Sequence, residues 1–275
     1  MPITRDFHEN QGIYVFDIAL DDRSSYESKD LESLYIAEST HFWFSCRRDK
    51  ISEFFTQEVS KDARILEIGG GTGYVAENLT KLGYTVEMAD IHSNGLSFAK
   101  KRGIKTLYQF DLYSPPFLEE FDVICLFDVL EHLNDELEAI KCIKTMLKPG
   151  GLIILTVPAH QWLWSRDDAI AGHAKRYTIK LLKEVFDKSN LISGKKRYFF
   201  KSILPLLFLR RLLNKDTGLP VKQSESFDMG ISPTLNYLLR ILTKMEFLID
   251  DFLPNIAGGS ILAVAQKLHN NSLEN

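Results

Sequence analysis

One pattern, running from residue 63 to residue 158, leaves few folds open. A short apolar run is followed by a stretch of helical spacing closed by glycine, and the unit repeats. ARILEIG (63–69) reads as a buried strand, followed by glycines and a helix ending at Gly83. YTVEMAD (84–90) is a second strand whose helix stops at Gly103, and IKTLYQFD (104–111) is a third. FDVICLFDVL (121–130) is a fourth; a helix from about Asp135 to Leu147 is broken by Pro149-Gly150-Gly151, and GLIILTVP (151–158) is a fifth. Apolar strands that do not alternate with polar residues must be covered on both faces. Strands alternating with helices pair in parallel through right-handed crossovers, so the expected class is α/β, doubly wound.

In such a sheet a ligand binds beyond the carboxyl ends of the strands. Those ends carry Glu67, Asp90, Asp111, Asp128 and Pro158, acids in four of five places where a core needs none. The segment Glu67-Ile68-Gly69-Gly70-Gly71-Thr72-Gly73 lies between a strand and a helix, the context of a nucleotide-binding turn. Glycine lets the backbone turn sharply and approach a ligand, and a helix start favours a negative group. Asp90, seventeen residues past Gly73, can accept hydrogen bonds from two ribose hydroxyls, and Asp111 can accept one from an adenine amino group. Gly71-x-Gly73-x-x-Ala76 followed by Asp90 also satisfies the dinucleotide fingerprint, which keeps a nicotinamide-dependent oxidoreductase open. Glu67 argues against it, because a carboxylate there would repel a pyrophosphate. A cofactor with a cationic amino-acid end tolerates that charge.

Taken together, E-x-G-x-G-x-G at 67–73, Asp90, Asp111, FDVICLFDVLEHL and LKPGGLIILTVP resemble the successive motifs of class I S-adenosylmethionine-dependent methyltransferases. They span roughly residues 60–160 in the family's order. The resemblance implies a Rossmann-like sheet of seven strands, mostly parallel with the last antiparallel; GGSILAVAQK (258–267) suits that last strand. It implies that Glu67, Gly69, Gly71 and Gly73 hold the methionine part of the cofactor, Asp90 the ribose and Asp111 the adenine, with Phe127 alongside. HFWFSCRRDKI (41–51) resembles the stretch preceding the cofactor domain in ubiquinone-type O-methyltransferases. That likeness sets Arg47, rather than Arg48, against the methionine carboxylate; otherwise Trp43 and Phe44 merely pack and the arginines face solvent.

Methyl transfer from a sulfonium is an in-line displacement, so the protein brings the partners together, excludes water and, for a hydroxyl, helps remove a proton. Two clusters carry candidate bases. In Asp128-Val-Leu-Glu131-His132, Glu131 and His132 either cap the next helix or, with Asp128, line the acceptor pocket. Some ubiquinone-pathway and small-RNA methyltransferases show a Glu-x-x-Glu-His metal site here. This chain has Asp128 first and no further histidine at ligand spacing, so no metal is expected. The second cluster, AHQWLWSRDDAIAGHAKRYT (159–178), offers His160, Trp164, His173, Arg176 and Tyr177. Its Gly-His-x-x-Arg-Tyr part resembles an element of surface-glycan and lipid-type methyltransferases. His173 is the expected base or acceptor-orienting group, and Arg176 a clamp for an anionic group, with His160, Trp164 and Tyr177 lining the pocket. A surface loop bound by ion pairs is the competing account.

The remaining sequence sets the organisation. Residues 1–59 read as a polar start and a helical arm that contributes to the cofactor site, 60–268 as the methyltransferase domain, and 269–275 as a tail. A helix near Thr178–Asp187 leads to a sixth strand, LISGKKRYFF (191–200). An insertion at about 201–253 holds two apolar helical segments, SILPLLFLRRLL and PTLNYLLRILTKMEFLIDDFL. Residues 195–215 are basic without an acid until Asp216, and too short and charged to span a bilayer, so they suit a lid, a homodimer contact or a peripheral membrane contact. Three scattered cysteines fit a reducing compartment, and a net charge of −4 argues against a general nucleic-acid binder. The expectation is a cytoplasmic enzyme, free or peripheral at a membrane surface, that O-methylates a small or lipid-linked acceptor using S-adenosylmethionine. A cofactor-binding partner protein without catalysis is the remaining alternative.

Overall fold

The computed structural model describes residues 5–16, 28–216, 218 and 230–269. In chain order these form β1 (Phe7–Asn10), β2 (Ile13–Phe16), α1 (Ser28–Thr40), α2 (Phe42–Glu58), β3 (Arg64–Ile68), α3 (Tyr74–Lys81), β4 (Thr85–Asp90), α4 (Ser93–Lys101), β5 (Leu107–Gln109) and β6 (Phe121–Phe127). There follow α5 (Glu136–Met146), β7 (Leu147–Pro158), α6 (Arg166–Ile170), α7 (Ile179–Lys188), β8 (Leu191–Phe199), α8 (Leu204–Leu213), α9 (Pro233–Leu248) and β9 (Ser260–Lys267). The strands join in one sheet in the order β1-β2-β5-β4-β3-β6-β7-β9-β8. Neighbours from β2 to β7 run parallel, and β9 runs antiparallel between β7 and β8.

Alternation along each strand sends its side chains to two cores. Leu66, Ile124, Leu126, Ile153 and Leu155 meet Ile140 and Ile143 of α5 and Leu182 and Phe186 of α7. Ile65, Val86, Met88, Val123 and Cys125 meet Cys46, Ile51 and Phe55 of α2, Leu79 of α3 and Leu96 of α4. Each such fully buried large side chain contributes about 1.5–3 kcal/mol relative to exposure, which is why the central strands tolerate so few polar residues.

The sheet has nine strands, two more than the seven expected, although the class is as read. The additional pair is the hairpin β1–β2 at the start of what the sequence suggested was a helical arm. Gln11 and Gly12 both take positive φ, 52° and 76°, the conformation of a tight hairpin turn. Ile13 and Phe16 are buried, and Phe16 packs edge-on to Phe110 and Phe117, so the hairpin is fastened beside β5. β2, Ile-Tyr-Val-Phe, is apolar throughout but only four residues long, too short to register as a strand until β5 pairs with it.

Strand boundaries move the site residues. β5 stops at Gln109, which leaves Asp111 in the following turn, accepting the Tyr113 N–H at 2.9 Å. β6 stops at Phe127, and Asp128 beyond it takes a left-handed φ of 56°. β7 begins at Leu147, earlier than the glycine pair suggested. The tail beyond residue 269, and residues 217 and 219–229 of the insertion, lie outside the described residues.

Candidate active site

The glycine loop sits at the carboxyl end of β3 and leads into α3. Gly73, at φ 81°, caps that helix, and a Cβ there would lie 2.8 Å from the Ala99 Cβ of α4. Glycine is required twice over, for the left-handed backbone and for the close approach. A Cβ at Gly71 would meet nothing within 4 Å, so the loop borders open space at this point. Asp90, ending β4, accepts the His92 N–H at 2.9 Å, and burial raises its pKa.

Glu67 points to the same end of the sheet. It is almost wholly buried, and that burial pushes its carboxyl up to about 8, with the Arg47 charge pulling the other way. Arg47 arrives from α2 and pairs with Asp128, whose other oxygen accepts the Thr156 hydroxyl at 2.7 Å. Arg48, its neighbour, turns away to Asp49 and the Tyr74 hydroxyl. Two buried polar atoms here have no hydrogen-bond partner, the Arg47 Nε and the Glu67 Oε2. A guanidinium N–H and a carboxylate oxygen are the donor and acceptor that a zwitterionic amino-acid group needs, so these residues fit the methionine end of the expected cofactor.

The arm is fastened to the loop by residues the sequence did not mark. Glu38 of α1 accepts hydrogen bonds from the Thr72 hydroxyl and from Arg102 Nη2. Arg102 also reaches Glu77 of α3 at 2.9 Å and the Thr72 carbonyl at 3.1 Å, and lies 4.1 Å above the Tyr35 ring. Glu38 and Arg102 are separated by 64 residues and carry no motif.

On the acceptor side the structure redistributes the expected roles. Tyr177 is fully buried and donates to Glu136 at 2.6 Å, so it is a wedge beneath the site and not part of a pocket wall. Trp164 donates its indole N–H to Asp216 at 2.9 Å. Arg176 donates to Asp168 at 2.8 Å and to the Ala159 carbonyl at 3.3 Å, which removes it as a free anion clamp. His160, at φ 59°, stacks on Tyr198 and Trp162 with its Nε2 unpartnered. Most of the basic run is likewise engaged: Lys195 pairs with Glu58, Arg197 and Lys201 with Asp250, and Arg210 with Asp167.

His132 and His173 do come together, ring centroids 4.8 Å apart, beside Glu131. Both Glu131 oxygens are buried without a partner, and burial, reinforced by the Asp128 charge, raises its pKa well above the usual range. Burial and the neighbouring His173 lower His132 to about 4, so it is neutral at physiological pH. One ligand atom from each of Glu131, His132 and His173 lies within 4.8 Å of the others. The sequence argument against a metal rested on the lack of a further histidine. Folding of the segment after β7 supplies it, because Ala174 N–H donates to the Glu131 carbonyl at 2.6 Å.

Comparison with known proteins speaks to the family and the fold. Residues 39–192, more than half of the chain, match the family model of the methyltransferase domain. The ubiquinone biosynthesis O-methyltransferase of Colwellia psychrerythraea is 34% identical over 102 residues, which are 34% of this chain and 42% of that protein. The chain therefore spans less than half the length of that curated relative. Phosphoethanolamine N-methyltransferase 2 of Haemonchus contortus, in complex with S-adenosyl-L-methionine, superposes with a TM-score of 0.58 at 19% identity over 90% of this chain and 59% of that one. A SAM-dependent methyltransferase from Archaeoglobus fulgidus gives 0.51 at 17% identity over 80% and 94%. At these identities the superpositions speak for the fold. The nicotinamide alternative gives way to the sequence match, which places the chain in the methyltransferase-domain family as a class I S-adenosylmethionine-dependent methyltransferase.

Proposed function

We propose that the chain transfers a methyl group to an oxygen of a small or lipid-linked acceptor. The observation that carries this reading is the pair of buried, unpartnered atoms, Arg47 Nε and Glu67 Oε2, at the glycine loop. S-adenosylmethionine, when bound, supplies a methyl group activated by its sulfonium. Arg47 and Glu67 bind the carboxylate and ammonium of its methionine part, and Asp90 the ribose. Phe127 and Asp111 flank the adenosine. Asp128 steadies Arg47 and is thereby withdrawn from proton transfer. His132 and His173 face the acceptor. His173 Nε2 would take the proton of the acceptor hydroxyl, whose oxygen would receive the methyl group as the sulfonium leaves as a neutral thioether.

The lipid-linked part of the proposal rests on α8 and α9. Phe208, Leu209, Leu212 and Leu213 on one, and Leu238, Ile241, Met245 and Leu248 on the other, are exposed. An apolar surface of this extent suits peripheral contact with a membrane; a second copy of the chain is the other occupant. Among the described residues, no helix is long and apolar enough to cross a membrane. Calorimetric titration with S-adenosylmethionine, followed by transfer of labelled methyl to phenolic and polyprenyl acceptors, tests the activity. No measurable affinity for the cofactor would remove the whole reading. Sedimentation with vesicles tests the membrane contact.

A second reading is favoured by the unpartnered oxygens of Glu131. A divalent cation between Glu131, His132 and His173 would satisfy them and would lower the pKa of an acceptor hydroxyl. Titration with Mg²⁺, Mn²⁺ and Zn²⁺ decides it: absence of heat and of rescue after chelation discards the cation.

A further inference from the structure

Asp168 ends a Ser-x-x-Asp capping signature, yet its buried carboxylate does more than cap a helix. Oδ2 accepts the Ser165 N–H at 2.9 Å and lies 3.4 Å from the Ser165 hydroxyl, completing the capping box that starts α6. A cap needs no more than that oxygen. Oδ1 is turned the other way, 2.9 Å from His173 Nδ1 and 2.8 Å from Arg176 Nε. Both oxygens meet groups that can only donate, the Ser165 N–H on Oδ2 and the Arg176 guanidinium on Oδ1, so the carboxylate is the acceptor; the proton shared with the His173 ring sits on Nδ1 and leaves the lone pair on Nε2.

The backbone reinforces the same orientation. His173 N–H donates to the Asp168 carbonyl at 2.9 Å, and Ala174 N–H seats the turn on Glu131. Nε2 is thereby aimed at the space beside Glu131, 4.0 Å from its Oε1.

We infer that Asp168 is a positioning residue for the transfer site: it fixes His173 in the Nδ1–H form, so that Nε2 is presented to the acceptor as a lone pair. The role in turnover rests on the reading of His173 as the proton acceptor; the tautomer itself does not. Outer carboxylates that orient a histidine are worth about 10- to 100-fold in comparable sites.

Long-range ¹H–¹⁵N spectra of the full chain, labelled at histidine and recorded at a single pH, read the tautomer without any turnover. The wild type is expected to show protonated Nδ1 at His173; a protonated Nε2 there overturns the inference at once. In Asp168→Asn the carboxamide can donate to Nδ1, so the pattern is expected to invert or average. The expected kinetic change is a loss of about 10- to 100-fold in kcat, with acceptor KM and cofactor Kd within about twofold. Asp168→Glu is expected to restore part of kcat. Ser165→Ala, which breaks the cap alone, is expected to leave the His173 pattern unchanged. If Ser165→Ala reproduces the kinetic loss, or a folded Asp168→Asn keeps the wild-type pattern, Asp168 is only a cap and the inference fails. Should Asp168→Asn fail to fold, the wild-type spectrum and the Ser165→Ala comparison still decide. Separately, an undiminished kcat in His173→Ala would sink the proton-acceptor reading while leaving the tautomer result standing.

Discussion

The two sides of the crevice are built differently. The side proposed for the cofactor is made mainly of backbone: the turn through Gly69, Gly71 and Gly73, and acids placed by the ends of β3 and β4. The side proposed for the acceptor is made of side-chain links between distant segments, such as Tyr177 to Glu136, Trp164 to Asp216 and Arg210 to Asp167. A backbone site constrains residue types at fixed spacing, so it leaves a signature. A network of side chains constrains only pairs, and either member can be exchanged along with its partner.

The contrast can be tested from both sides. The largest effect is expected at His173: replacement by Ala should lower kcat by about 10²–10⁴-fold while cofactor affinity, measured calorimetrically, stays unchanged. A parallel loss of affinity would mean that the two sides are not separable. On the cofactor side, Arg47→Ala leaves the largely buried Asp128 without its counter-charge. The cost should be about 3–5 kcal/mol in urea denaturation, together with loss of cofactor binding. Gly73→Ala forces a Cβ onto Ala99 in a left-handed backbone and should cost about 1–3 kcal/mol, read by the same denaturation. Unchanged stability there would show that the loop is plastic and the backbone argument wrong.

Glu67 sharpens the comparison through pH. Its pKa is raised in the folded state to about 8, so the native chain keeps a proton there that the unfolded chain loses near 4.5. Its contribution to stability therefore falls as pH rises through that window. A cationic ligand needs the ionised form, so cofactor affinity should strengthen toward pH 8 by up to about tenfold per unit and then level off. Glu67→Gln should abolish that slope in a calorimetric pH series. The smallest effect is expected for Tyr177→Phe, about 1 kcal/mol of stability, with acceptor KM unaltered because Glu136 retains Lys175 at 2.6 Å. A changed KM would make Tyr177 part of the pocket after all.

The same division separates what the amino-acid sequence discloses from what only folding brings together. The apolar runs at β3, β4, β6 and β7 and the glycines between them carry their own punctuation, and so does the antiparallel strand at the end. The hairpin β1–β2 escaped because its burial is supplied by β5, nearly a hundred residues away. Asp168 was visible as the fourth residue of Ser-x-x-Asp, a capping signature, but nothing local says that its second oxygen serves His173. Trp164, Arg176 and Tyr177 were singled out for chemistry because aromatic and basic residues cluster there. They cluster because a long irregular segment needs internal partners to lie down on the sheet. Glu131 and His132 looked like a truncated ligand set until the loop after β7 delivered His173.

The latch of Glu38 on Thr72 and Arg102 has a consequence for how the molecule is assembled. Helix α1 cannot settle until Arg102, 64 residues after Glu38, has been synthesised. Contacts this far apart in sequence slow the search for the native state. During synthesis α1 thus stays undocked while the glycine turn, β4 and α4 are being made, and Arg102 then ties it to Thr72.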